Sequence, residues 1–242
     1  MIINFTLFAF AISLGSFLGT TLNRDCKTLD LRQKLTKPSS CDQCLRHLSW
    51  FEIIPLISFI VLGGKCYTCR SNIIREYFFI ELLMGLLSLE VMLFSVSFYE
   101  KVLLIIIFAF LLFQILLDYK EMMLSSHASL AILVLGLLMN LIFQTFNHPI
   151  ESVLSASIGF LLLYSINYIY RSFAHKSGMG DGDYIFFASI SCVAGYFTIP
   201  LILCLGSAIT IFIGMIHGNL SKEMPFGTGL GIAFIILVPF LI

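Results

Sequence analysis

Long apolar runs follow one another along the whole chain, near residues 2–22, 77–99, 102–117, 128–146, 151–170, 184–199, 201–217 and 226–242. A helix needs about 20 such residues to cross the hydrocarbon core of a bilayer. The pattern therefore predicts an all-α integral membrane protein, a polytopic bundle of about eight transmembrane helices. Charged residues make up 12% of the chain, about half the share in soluble domains. In water, a chain this apolar would leave large greasy patches exposed. A retained first span is expected over 2–22, since neither a basic n-region nor an A-x-A site marks a cleavable leader.

The distribution of charge predicts orientation. Formal net charge is zero and no nucleic-acid motif is present. The segment 23–76 holds Arg24, Lys27, Arg32, Lys34, Lys37, Arg46, Lys65, Arg70 and Arg75. Threading about eight spans puts Lys120, Arg171, Lys176 and Lys222 on that same side, and only Lys101 opposite. The positive-inside rule then makes 23–76 cytoplasmic. The expected organisation is a first span at 1–22, a cytoplasmic cysteine domain at 23–76 and a membrane core at 77–242. The run 53–62 contains Pro55 and is too short to span, so it reads as a folded loop or interfacial segment.

Seven cysteines are present. Cys26 stands alone, and Cys192 and Cys204 lie in apolar runs, where a bystander thiol is the ordinary case. Cys41-x-x-Cys44 and Cys66-x-x-Cys69 have the spacing of two knuckles that together offer zinc a tetrahedral sulfur cage. In a reducing compartment such pairs read as metal ligands before disulfides. Iron is the alternative metal, and two unrelated redox or buried pairs the alternative without one. Four thiolates fill a tetrahedral site, so the expected role is structural, with His47 outside the ligand set. Gly63 and Gly64 are expected to form the turn of the second knuckle.

Ionisable groups at a membrane edge point to function. Asp118 closes the third apolar run and Asp183 opens the sixth, within Gly178-Met179-Gly180-Asp181-Gly182-Asp183. Both fall on the cytoplasmic side of the expected topology. Two apposed carboxylates do not both ionise easily, so one keeps a proton while the other serves as a base. Such a pair activates water against a peptide carbonyl. Gly180 and Gly182 would admit a substrate backbone and unusual dihedral angles. Taken singly, Asp118 is equally a helix-end charge among headgroups, and G-x-G-D a helix-capping turn. Asp183 is preferred to Asp181 because it adjoins the apolar run. Glu81 lies about one turn inside the second span, placed to support the site, and Glu90 lies deeper. Both also read as hydrogen-bonded interior groups. Gly15 and Gly19 form a G-x-x-x-G suited to close helix packing. Gly227-Thr228-Gly229-Leu230-Gly231 follows no strand, so it reads as tight helix packing or a turn and not as a nucleotide loop.

Together these motifs resemble the type IV prepilin peptidases of bacteria. The resemblance is carried, in order, by Gly15-Ser16-Phe17-Leu18, Ser40-Cys41-Asp42-Gln43-Cys44, the stretch from Leu48 to Ser58, Gly64-Lys65-Cys66-Tyr67-Thr68-Cys69-Arg70, Arg75-Glu76-Tyr77 with Glu81, Asp118, Gly180-Asp181-Gly182-Asp183, and Pro225-Phe226-Gly227. It implies an aspartyl endopeptidase with Asp118 and Asp183 as its catalytic pair. The implied substrates are prepilin or competence pseudopilin precursors, cleaved at the cytoplasmic membrane face after a glycine and before a hydrophobic mature N-terminus. Many members also methylate the new N-terminus, so S-adenosylmethionine enters as a methyl donor through the resemblance alone. The short loops and the Asp-Gly-Asp-Tyr variant resemble competence-associated members from Gram-positive bacteria. The chain departs from the family pattern at Ser125 and Ser126, where Pro-Asp is usual, and at Ile185, where Lys is frequent.

Two other functions fit parts of the pattern. A zinc-containing membrane scaffold would use the cysteine domain to dock a partner, leaving the aspartates incidental. A transporter would use Glu81, Glu90 and Asp118, but no inverted repeat supports it.

Overall fold

The structure, a computed structural model, describes residues 2–23, 40–41, 43–175, 178–216 and 224–241. The basic stretch from Arg24 to Lys37 with Cys26, and also Asp42, Lys176, His217 and Lys222, lie outside the described residues. Among the described residues the elements are helical, with two isolated β-bridges. The chain divides into two compact units, 1–92 and 93–242.

The N-terminal unit contains α1 (Ile2–Asn23), a 3-10 turn at Trp50–Glu52, α2 (Ile57–Val61) and α3 (Arg75–Leu93). The small residues of α1 and α3 let the two helices approach closely. A Cβ at Gly15 would lie 3.0 Å from that of Met84, and one at Gly19 would lie 2.9 Å from the Tyr77 ring. This is the packing expected of the G-x-x-x-G. The run 53–62 yields only the five-residue α2, too short to span. Gly63 and Gly64 both take positive φ and terminate α2, with Gly64 N–H bonded to the Phe59 carbonyl at 2.8 Å. They are a helix stop and not the expected knuckle turn.

The second unit contains α4 (Phe98–Glu121), α5 (Ser126–Ile142), α6 (Pro149–Ala174), α7 (Asp181–Ala194), α8 (Ile199–Ile216) and α9 (Phe226–Leu237). The expected boundary between the second and third spans is corrected here. α3 stops at Leu93, short of residue 99, and α4 begins at Phe98, ahead of 102. The cause is a capping box: Ser97 N–H donates to Glu100 Oε2 at 2.8 Å, and Glu100 N–H donates to Ser97 Oγ at 3.5 Å. Glu100 Oε1 also accepts from Thr145 Oγ1 at 2.7 Å, so this charged pair of turns starts a helix that hydropathy places four residues later.

Helix α7 is the centre of this unit. It packs on α5, α6 and α9 and is buried along nearly its whole length. Helix α9 packs on α4 and α8. Its glycines make that possible: a Cβ at Gly229 would fall 2.3 Å from the Gly206 carbonyl oxygen, and one at Gly231 2.5 Å from Ile115 Cγ1. The glycine run is thus tight helix packing.

Among the described residues, four helices are long and apolar enough to cross a membrane: Asn4–Leu22, Phe98–Glu121, Pro149–Ala174 and Tyr196–Ile216. Of the other expected spans, α3 carries Glu76, Glu81 and Glu90. Helices α5, α7 and α9 are 17, 14 and 12 residues long.

Candidate active site and metal centre

The two C-x-x-C pairs build the same knuckle twice. Cys41 N–H donates to the Arg46 carbonyl at 2.9 Å and Leu45 N–H to the Cys41 carbonyl at 2.9 Å. In the second copy Cys66 N–H donates to the Ser71 carbonyl at 2.8 Å and Arg70 N–H to the Cys66 carbonyl at 3.1 Å. Leu45 and Arg70 both adopt φ 56°. Flanking residues close each knuckle as an antiparallel bridge, Ser40 with His47 and Lys65 with Asn72.

The sulfurs of Cys41, Cys44, Cys66 and Cys69 lie within 4.8 Å of one another. Tetrahedral zinc with bonds of about 2.3 Å places its sulfurs about 3.8 Å apart, and Cys41 Sγ is 3.7 Å from Cys69 Sγ. The backbone amides of Cys44 and Gln43 face Cys41 and bring its thiol down to about 6. The Arg46 amide pulls Cys44 down too, but burial and the hydrogen bonds among the clustered thiols outweigh it and hold Cys44 up at about 11. Four sulfurs this close could hold one metal ion, and the donor set fits zinc. His47 is not among the clustered ligand atoms.

The segment between the knuckles is tied by its own polar bonds. Arg46 Nη2 donates to both carboxylate oxygens of Glu52 at 2.7 and 2.8 Å, and Ser49 N–H donates to Glu52 Oε2 at 2.8 Å. Burial pushes Glu52 up, but the Ser49 amide and the Arg46 guanidinium outweigh it and hold its carboxyl below the usual range. Glu81 is buried in this same unit and accepts the Leu56 N–H at 2.7 Å.

In the second unit Asp118 of α4 and Asp183 of α7 belong to one neighbourhood, since Leu124 meets both Gly182, next to Asp183, and Gly227, which lies against the Asp118 carboxyl. Both are buried, at 5% and 9% exposure, and both cap a helix N-terminus. Asp118 sits in the last turn of α4, whose end is set by Met122 in the left-handed conformation. Its Oδ2 accepts the Thr228 N–H at 2.6 Å and the Thr228 hydroxyl at 2.9 Å. Thr228 is the third residue of α9, so Asp118 satisfies an amide that the helix leaves without an internal partner. Asp183 is the third residue of α7, and its Oδ2 accepts from Gly180 N–H at 3.0 Å, the residue that precedes the helix. Each carboxylate thus spends one oxygen on a helix start, where the macrodipole favours negative charge. Among the described residues no hydrogen bond reaches Oδ1 of either acid.

The two glycines of the G-x-G-D motif do different things. Gly180 has φ −77° and ψ 157°, ordinary for any residue, so it supplies no special dihedral. A Cβ there would meet only Asp183 Oδ2, at 3.7 Å, which leaves open space before the acid. Gly182 is needed for packing, since its Cβ would sit 3.0 Å from Leu124 Cβ. Gly227 faces the same leucine from α9, and its Cβ would also lie 3.2 Å from Asp118 Cγ. Leu124 is therefore wedged between the two glycines that flank the acids.

Three side chains fix this arrangement without any signal in the motifs. Gln114, one turn before Asp118, clasps the α4–α5 turn: its Oε1 accepts Ser125 N–H at 2.9 Å, and its Nε2 donates to the Ser125 carbonyl at 2.9 Å and to Ser129 Oγ at 2.6 Å. Proline at 125 has no N–H for that clasp. Asn167 accepts Gly178 N–H at 2.8 Å and donates to the Tyr184 hydroxyl, which moors the G-x-G-D segment on α6. Thr228 is the third.

Comparison with known proteins gives matches over both units. The family described as Bacterial Peptidase A24 N-terminal domain matches residues 9–95. The Type IV leader peptidase family matches residues 105–215. The prepilin leader peptidase/N-methyltransferase of Aeromonas salmonicida is 30% identical over 255 residues, covering 94% of this chain and 87% of that protein. The protein of the same description from Stutzerimonas stutzeri is 31% identical over 201 residues, 81% of this chain and 69% of its own. That from Vibrio cholerae is 25% identical over 239 residues, 94% and 92% of the two chains. No solved structure matches the chain significantly.

Proposed function

Because the chain belongs to the type IV leader peptidase family, we propose that it is a membrane aspartyl endopeptidase that removes leaders from type IV prepilin or competence pseudopilin precursors. Asp118 and Asp183 activate the water, and the reaction takes place at the cytoplasmic face. The observation that supports this reading is two buried carboxylates from separate helices, gathered around Leu124, each with one oxygen committed to a helix N-terminus and one left over.

Two carboxylates that share a site divide one proton between them. The ionised acid takes a proton from water, and the oxygen bonds to the scissile carbonyl carbon. The protonated partner gives its proton to the carbonyl oxygen. The acid that took the proton from water gives it to the amine nitrogen, a hydroxyl of the adduct returns its proton to the other acid, and the C–N bond breaks, which leaves a carboxylic acid, a free amine and the one-proton pair. Gly180 leaves room for the substrate backbone. Gly182 supports the site by admitting Leu124, while Glu81 holds the turn at Leu56 within the N-terminal unit. Cys41, Cys44, Cys66 and Cys69 would hold one structural zinc, which would stiffen the loop and supply no chemistry to the cleavage. The relatives' methyltransferase description extends the proposal to N-methylation with S-adenosylmethionine.

The proposed organisation is a first span at 1–22, a cytoplasmic zinc domain at 23–76 and a peptidase core at 77–242, with about eight membrane passes. Helices α5, α7 and α9 are shorter than a usual span, and α7 achieves its place by being enclosed in protein. The short-loop, competence-associated subgroup is the proposed branch.

Cleavage of a full-length prepilin by the purified protein tests the reading. Asp118→Ala and Asp183→Ala each abolish cleavage while Asp181→Ala is within several-fold of the parent. Retained cleavage in either of the first two variants removes the acid pair as the catalyst.

A further inference from the structure

Thr228 offers Asp118 Oδ2 two donors, its amide at 2.6 Å and its hydroxyl at 2.9 Å. The same hydroxyl oxygen lies 3.1 Å from the Ile115 carbonyl oxygen, one turn back on α4. A hydroxyl has one hydrogen, so only one of these two acceptors receives it at a time. Thr228 is 3% exposed, and its backbone is held by close packing on either side. Gly227 meets Leu124 and Asp118, and Gly229 meets Thr210 and the Gly206 carbonyl.

Resting on the peptidase reading, we infer that Thr228 is a positioning residue for Asp118. Its amide fixes Oδ2, and its hydroxyl turns between Asp118 and the Ile115 carbonyl as Asp118 loses and gains its proton. When Asp118 is ionised, the hydroxyl hydrogen points at Oδ2 and the anion has two donors. When Asp118 is protonated, the hydrogen points at Ile115 and no buried polar atom is stranded, which would otherwise be costly. No bond is made or broken at Thr228. The acid changes protonation state during the cycle with no movement of its carboxylate, and Oδ1 stays aimed at the reaction.

The test is cleavage of a full-length prepilin by the full-length, detergent-purified enzyme carrying Thr228→Val or Thr228→Ser, with kcat, KM and pH–rate profiles measured beside thermal stability. Valine keeps the amide and the shape but loses the hydroxyl. The expected result for Thr228→Val is a drop in kcat of about 10- to 100-fold, the effect of losing one hydrogen bond to a charged group. KM should stay within about twofold. The acidic limb of the pH–rate profile should move to higher pH, because the ionised form alone has lost a donor. Serine should restore both rate and profile. A Thr228→Val enzyme with parental kcat and profile overturns the inference, as does Thr228→Ser impaired as deeply as Thr228→Val. Should valine not fold, Thr228→Ala carries the same expectations and is judged the same way. Asp118→Ala in the same assay separates the two levels. If it still cleaves, the acid-pair reading falls and takes this role with it. If it is inactive while Thr228→Val is normal, only the role of Thr228 falls.

Discussion

Cys41 Sγ lies 3.7 Å from Cys69 Sγ, although the two residues belong to different knuckles. That is the spacing of two thiolates on one tetrahedral ion. The purified protein is therefore expected to carry about one zinc per chain. Cys41→Ser or Cys66→Ser should lose the ion and lower Tm, because binding and folding of such loops are linked. Metal content by mass spectrometry beside thermal unfolding checks this. A metal-free chain with parental Tm contradicts it.

The glycines near the acids separate packing from access. Gly229→Ala puts a Cβ 2.3 Å from a backbone oxygen and should prevent stable folding. Gly227→Ala meets side-chain ends and the Asp118 carboxyl at 3.2 Å. It should fold yet lose about tenfold or more in kcat, as small displacements of a reacting group do. Gly180→Ala meets nothing closer than 3.7 Å, so its Tm should be parental. A large loss of cleavage at parental Tm would then report crowding of the substrate. Parental cleavage would show that the space before Asp183 is not used.

How much of this was legible beforehand follows from the kind of signal each residue sends. Cysteine spacing announced the sulfur cluster, and acids isolated at the ends of apolar runs made Asp118 and Asp183 the candidates. Both are local patterns. Thr228 is bonded to an acid 110 residues earlier, and nothing local marks it among the glycines that surround it. Gln114 and Asn167 read as ordinary polar interruptions of apolar helices. Ser97 and Glu100 misled the boundary between α3 and α4 because a hydropathy window registers their polarity and not the cap they form. The two knuckles were legible from their cysteines, but how closely their backbones match was not. The two copies share cysteines and backbone bonds, but Leu45 and Arg70 occupy equivalent left-handed positions with no chemical likeness.

Gln114 is expected to matter for stability more than its anonymity in the sequence implies. Gln114→Leu keeps the volume but leaves the Ser125 backbone and Ser129 Oγ without their partner. The expected cost is about 1–3 kcal/mol per stranded buried group, read as a fall in Tm. An unchanged Tm would mean that water replaces the clasp.

Glu52 gives the cysteine region a pH signature. Its folded carboxyl is held below its ordinary value, after burial is outweighed by the Ser49 amide and Arg46. A depressed acid contributes stability above its unfolded pKa and loses it as pH falls through the folded value. Glu52→Gln should therefore lower Tm at neutral pH. The gap from the parent should close as pH drops below about 4, into the range where the parent carboxylate is also protonated. A gap that is constant with pH would assign the effect to shape and not to charge.

The repeated knuckle has a consequence for how this region tolerates change. Each half completes its own turn from its own backbone, so neither needs the other's flanking sequence to take shape. An ion in the cage would then act as a cross-link between two finished pieces, and the stretch from Leu48 to Gly63 is an insert hung between them. Closing a longer loop costs only about 0.6 kcal/mol per doubling of its length. Among the described residues, the Leu56–Glu81 bond anchors that insert to α3. The insert can change in length and surface while the cage keeps its dimensions, provided that its ties are kept: Glu52 on Arg46, the Leu56 amide on Glu81 and Phe59 stacked on Phe78.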